Sequence, residues 1–106
     1  MVSIQDFKNC EIIIAKIVEA LDHPNADKLY LLKIDTGKEV RQAVAGIRSS
    51  YTKEELAGRL VVFLNNLQPA VIRGEESQGM VLAVGDEKGI ALLRPDRDVP
   101  LGGIVR

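Results

Sequence analysis

The 106-residue sequence has no tryptophan, one cysteine, one histidine and only two tyrosines and two phenylalanines. A lone cysteine, Cys10, cannot close an internal disulfide. With His23 as the sole histidine, no Cys/His zinc set can be assembled either. Cys10 stands at the edge of an apolar run, where burial as a small hydrophobe is expected. The aromatics, Phe7, Tyr30, Tyr51 and Phe63, are too few for a protein that reads single strands mainly by base stacking, and Phe63 and Tyr30 are expected in the core. No metal and no other cofactor is expected.

Long apolar runs are missing as well. The longest, "EIIIAKIVEAL", is broken by Lys16 and Glu19 and is shorter than the roughly 20 residues that cross a bilayer. The start, "MVSIQDFKNCE", has no basic region leading into an apolar one, so no signal peptide, no membrane contact and a cytoplasmic location are expected. The initial methionine so close to the folded region suggests a free-standing protein. Neither sign of charge dominates: 14 basic side chains face 15 acidic ones, a net charge of −1, so any site for a polyanion has to be local. No GxxxxGK[ST] loop and no GxSxG elbow occurs. His23, Ser77 and either Asp22 or Asp27 are the residue types of a Ser-His-Asp arrangement. Geometry and not residue type defines a triad, however, and a histidine before a proline reads first as a turn residue. No catalytic residue and no enzymatic activity is expected.

What the sequence does contain is a strand-forming pattern, with 46% hydrophobic residues, enough for one domain over 1–106. Ser3, with Asp6 three residues on, caps a short amino-terminal helical turn. "CEIIIAKIVEAL" (10–21) is rich in isoleucine and reads as a long buried strand. "LYLLKID" (29–35) and "EVRQAVAG" (39–46) flank Gly37 as an antiparallel hairpin. In the first, Tyr30, Leu32 and Ile34 face the core and Lys33 faces out. "TKEELAG" has Thr52 and Glu55 as a capping box and Gly58 as a stop, a helix of about a turn and a half. "LVVFLNN" (60–66) is a strand covered on both faces. "GMVLAVGDEKGIALLRP" adds two strands about the GDEKG turn, and "DRDVPLGGIVR" is irregular.

Three strands, a short helix between strands 3 and 4 and two more strands make an all-β chain with the order of the OB-fold. This is a five-stranded Greek-key barrel whose loops between strands 1 and 2 and between strands 4 and 5 flank an oligonucleotide-binding face. The barrel is expected over about 10–85, followed by a carboxy-terminal extension over about 86–106. In the first loop, "HPNADKL", Pro24 presets a turn, Asn25 and Asp27 can bond their own backbone, and Lys28 presents a point charge. A solvated turn is the simpler account of those residues taken alone. The second loop, "NNLQPAVIRGEESQG" (65–79), offers Arg73 as a fork for phosphate, Ser77 and Gln78 as donors, and Gly74 and Gly79 for positive φ or close approach of a ligand. Met80 then opens a strand, either to pack under a base or to fill the barrel mouth.

Taken together, "HPNADKLYLLKID", "RQAVAGI", "YTKEELAGRLVVFLNNLQPAVIRGEESQGMVLA" and "LLRPDRDVP" resemble the tRNA-binding OB domain. That domain occurs at the carboxy terminus of methionyl-tRNA synthetases, as a free-standing tRNA-binding protein or synthetase beta subunit, and in the endothelial-monocyte-activating polypeptide family. The resemblance runs from Asp6 to the tail. It implies a homodimer that binds the folded corner of tRNA and raises the tRNA affinity of a methionyl-tRNA synthetase catalytic chain. Within it, Lys28, Ser77 and Met80 match residues implicated in tRNA binding, Asn25 and Arg73 fit the same surface, and 94–105 matches the dimerising segment. Lys33 and Gln78, read from their own positions, complete the expected site. Ile13 and Gln68 stand where relatives often carry basic residues, and each implies one phosphate contact fewer. A chaperone or assembly module of the same fold, binding protein partners, is the alternative that the resemblance carries.

Overall fold

The computed structural model describes all 106 residues. The chain opens with α1 (Ile4–Asn9) and continues with β1 (Ile12–Asp22), β2 (Tyr30–Asp35), β3 (Val40–Ala45), α2 (Lys53–Leu56) and β4 (Leu60–Leu64). Five shorter strands follow: β5 (Ala70–Ile72), β6 (Glu75–Ser77), β7 (Met80–Val81), β8 (Ala83–Asp86) and β9 (Gly89–Leu92). An antiparallel sheet in the order β3-β2-β1-β4-β7 forms the body. It curls on itself where β3 meets the β6–β7 segment: the Gln78 amide donates to the Gln42 carbonyl at 2.8 Å and the Val44 amide to the Ser77 hydroxyl at 3.0 Å. The result is the nearly closed five-stranded barrel of the OB-fold.

β1 spans the whole barrel because it bends. Its register against β2 slips between Ile17 and Glu19, leaving Val18 as an extra residue. A one-residue bulge reverses the inward phase of a strand. Ile13, Ala15 and Ile17 are accordingly buried before it and Ala20 after it. The first half of β1 pairs with β4 on one edge and with the carboxy-terminal tail on the other. Ile14 N–H donates to Gly103 O at 2.9 Å and Val105 N–H to Ile12 O at 2.9 Å, with an Ile13–Ile104 bridge between them. The tail is irregular, as expected, but it serves β1 as a strand would.

Both capping boxes form, at Ser3/Asp6 and Thr52/Glu55. α2 is a single turn that delivers Leu56, fully buried, into the barrel, and Gly58 ends it with φ +85° and donates to Ile17 O at 2.7 Å. Phe63 and Tyr30 are in the core; the Tyr30 hydroxyl donates to Tyr51 O at 2.7 Å, which satisfies the one polar atom this ring takes inside. No helix is long and apolar enough to cross a membrane.

Two expectations need correction. Cys10 is exposed, because it caps α1 before the chain enters the barrel. Ile13 faces into the barrel core, where it is buried. The 65–79 segment is not simply a loop. It holds the β5–β6 hairpin, with Arg73 (φ +54°) and Gly74 (φ +89°) as a two-residue turn. Positive φ at both central residues is the type I′ geometry whose twist matches paired strands. The β8–β9 hairpin straddles the 85/86 boundary drawn from sequence.

Candidate nucleic-acid interface

The first loop and the β5–β6 hairpin meet on one side of the barrel. Asn25 Nδ2 donates to Arg73 O at 3.2 Å, and Arg73 Nη2 donates back to Asn25 O at 3.3 Å. A guanidinium has five N–H donors, so one bond to a carbonyl leaves most of this exposed fork free. Underneath, His23 receives the Asn25 amide on Nδ1 at 2.9 Å, which leaves Nε2 as the protonated nitrogen, donating to Ile72 O at 3.0 Å. Both ring nitrogens are therefore consumed by backbone. Ser77 is bonded elsewhere, and the three residue types of a triad never converge.

A second group lies along β2 and β3. Lys33 Nζ donates to Gln42 Oε1 at 2.7 Å, and Gln42 Nε2 donates to Glu76 O at 2.9 Å. The Gln42 amide donates to Gln78 Oε1 at 2.9 Å, so the Gln78 carbonyl is occupied while its amide nitrogen is not. Arg41 Nη1, also on β3, donates to Asn65 O at 2.8 Å, just past the end of β4. Gln42 and Arg41 are working residues of this face that sequence reasoning missed. Nothing in a lone glutamine within "VRQAVA" marks it as a hub; only the closing of the barrel puts β6 beside it.

Ser77 differs from its expected role as a donor to RNA. It is buried, accepts from the Val44 amide and donates to Gly79 O at 3.0 Å. Its hydroxyl holds the segment in place and has no donor left to offer. Gly79 does not have a positive φ; a side chain there would run into Phe63. Lys28 and Met80 are exposed. The ion pairs of the chain engage Arg41, Arg48 and Lys53, with Glu39 and Asp22 as partners. Lys28, Lys33 and Arg73 have none, so a phosphate meeting them displaces no carboxylate. Arg48 also steadies the first loop, with Nη1 3.5 Å from Ala26 O and its guanidinium 5.9 Å above the Tyr30 ring.

Residues 12–103 match the family model described as "Putative tRNA binding domain". The chain belongs to this tRNA-binding domain family. Among relatives of the domain, a methionine–tRNA ligase of Pyrococcus furiosus is 52% identical over 99% of the chain. The chain spans only 14% of that ligase, and the same small share of its counterpart from Thermococcus onnurineus. The family is that of a tRNA-binding part and not of the catalytic part of such enzymes. A methionyl-tRNA synthetase-related protein from Pyrococcus horikoshii shares the fold with a TM-score of 0.91 at 31% identity, covering 100% of this chain and 98% of the other. The CsaA chaperone protein from Picrophilus torridus does so with a TM-score of 0.92 at 30% identity, covering 100% of both. In this tRNA-binding domain, then, the first loop and the "RGEESQGM" segment stand together on the barrel, as the two binding loops of an OB-fold should.

Proposed function

We propose that this domain binds folded tRNA across the first loop, the β5–β6 hairpin and the β2–β3 face between them. Lys28, Lys33 and Arg73 neutralise phosphates, Asn25 and the Gln78 amide supply directional hydrogen bonds, and Met80 supplies apolar contact. Ser77 acts from beneath, by holding the strand that presents Gln78 and Met80. The observation that carries this reading is the reciprocal Asn25–Arg73 bond, which joins two polar loops 48 residues apart into one surface with unpaired cations. With a net charge of −1 the molecule as a whole does not attract RNA. Affinity has to come from these few contacts, and contacts to phosphate position an RNA by shape without reading its sequence.

In the cell this would serve a methionyl-tRNA synthetase in the cytoplasm, where a second contact to a tRNA already held by a catalytic chain strengthens net binding without a new catalytic group. We further propose that two copies associate through the carboxy-terminal extension. Leu93 and Ile104 are 42% and 71% exposed there, apolar surface that a second copy would cover. The same exposed surface and the likeness to a chaperone favour, as a second reading, a module for protein partners.

The test is equilibrium binding of tRNA by the wild type, Lys28→Ala and Arg73→Asn across a salt series. Arg73→Asn keeps the turn, since Asn-Gly suits type I′ geometry. Each variant should bind less tightly and lower the salt slope by about 1. Variants that bind like the wild type would remove the site, and salt-insensitive capture of apolar peptides would favour the second reading.

A further inference from the structure

His23 is the most buried polar side chain of the chain, at 3% exposure, and it lies directly beneath the Asn25–Arg73 pair. It does not reach solvent, so it cannot touch RNA. What it touches is the backbone of both loops: the Asn25 amide on one ring nitrogen and Ile72 O on the other. Apart from the Asn25–Arg73 bonds at the turn, the hairpin it grips has little to hold its tip. β6 is fastened to β3 through Ser77 and the Glu76 carbonyl, while β5 pairs only with β6. A two-stranded hairpin is marginally stable by itself, so its tip needs an external tie to keep one position.

We infer that His23 is a positioning residue of the RNA site, a buried staple that sets the hairpin tip against the first loop before RNA arrives. This rests on the tRNA-binding reading above. The physical consequence is preorganisation. With Ile72 held by the ring, Arg73 sits in its left-handed turn conformation and its guanidinium is anchored at one N–H by Asn25 O, so the remaining donors already face outward. A side chain that is ordered beforehand loses less freedom on binding. The staple needs a group that both accepts and donates from opposite edges of one rigid ring, which neutral histidine does. Glutamine reaches one edge only. Asparagine carries both functions on a shorter stem that spans only one of the two contacts.

The test combines His23→Gln, His23→Asn, Arg73→Asn and the corresponding double variants, with folding monitored by thermal melting. Loss of preorganisation should weaken tRNA binding by the His23 variants about 3- to 10-fold. Their salt slope should match the wild type, because no phosphate contact is removed, whereas Arg73→Asn lowers it by about 1. In the background of Arg73→Asn the His23 substitutions should cost little, a coupling that a double-mutant cycle measures. Hydrogen exchange of the free protein should quicken at the hairpin amides and remain slow in β1 and β4. Additive effects, a reduced salt slope for the His23 variants or unchanged exchange at the hairpin would each overturn the staple. Wild-type protein that binds no tRNA would instead overturn the function on which it rests, while wild-type binding with a neutral His23 substitution would leave that function standing and remove only the staple. If His23→Gln fails to fold, His23→Asn carries the comparison.

Discussion

Replacing Gly79 with alanine should destabilise the barrel strongly, and the reason is packing, not backbone strain. Its φ lies outside the left-handed region. A methyl group there would overlap Phe63 Cζ and stand 2.9 Å from Phe63 Cε1 and 2.8 Å from Leu64 O. Neither obstacle can step aside: the ring is fully buried, and the carbonyl belongs to β4, whose Leu64 pairs with Met80 of β7. Overpacking a filled core typically costs about 1–3 kcal/mol, and two rigid neighbours put this site at the upper end, about 3 kcal/mol. A domain of this size loses roughly 4–8 °C of Tm per kcal/mol, so thermal denaturation of Gly79→Ala should fall by roughly 12–24 °C. Gly58→Ala is the contrast. It meets nothing within 4 Å but holds φ +85°, so it pays only the left-handed penalty of about 1–2 kcal/mol. If Gly79→Ala melted within a few degrees of wild type, or above Gly58→Ala, the close approach of this segment to Phe63 would be wrong.

Ser77→Ala should cost about 1–3 kcal/mol in urea unfolding, since the Val44 amide loses its acceptor and Gly79 O its donor, and the salt slope of tRNA binding should not change. At α2, the Thr52 backbone N–H, helped by the Thr52 hydroxyl and Arg59, holds the Glu55 carboxyl below its ordinary value against a small opposing effect of burial. A carboxylate with a lowered folded pKa stabilises above its unfolded pKa, and that contribution is lost as pH falls through the folded one. Glu55→Gln should therefore melt below wild type at neutral pH, with the gap closing in acid. Leu93→Arg should shift the protein to a smaller species in sedimentation at matched concentration; an unchanged species would exclude that face from self-association.

Much of the barrel was legible because its signals are local and physical. Alternating burial placed Tyr30, Leu32 and Ile34 inside, and the capping residues Ser3, Asp6, Thr52 and Glu55 marked both helices. The β5–β6 hairpin was not legible: its turn is Arg-Gly instead of the usual Asn-Gly or Asp-Gly, and its strands are three residues each. Roles that depend on closure were hidden for a different reason. Gln42 becomes a hub and Ser77 a buried bridge only when β3 meets β6 and the residue after it, more than 30 positions on, and Gly79 becomes a seat for Phe63 only when the segment before β7 packs on β4. His23 could be read as a turn residue, but its second bond, to Ile72 O, crosses 49 positions and has no trace in the local pattern. The cationic residues were identifiable as charges; that Lys28, Lys33 and Arg73 are free of carboxylate partners required the folded chain.

The most direct measurement is equilibrium binding of the wild-type protein to unfractionated tRNA and to an unstructured RNA of the same length, at several salt concentrations. The account predicts preference for tRNA at every concentration, with affinity falling as salt rises along a shallow slope set by a few phosphate contacts. Equal binding of the two RNAs, or no binding of either at moderate salt, would contradict it.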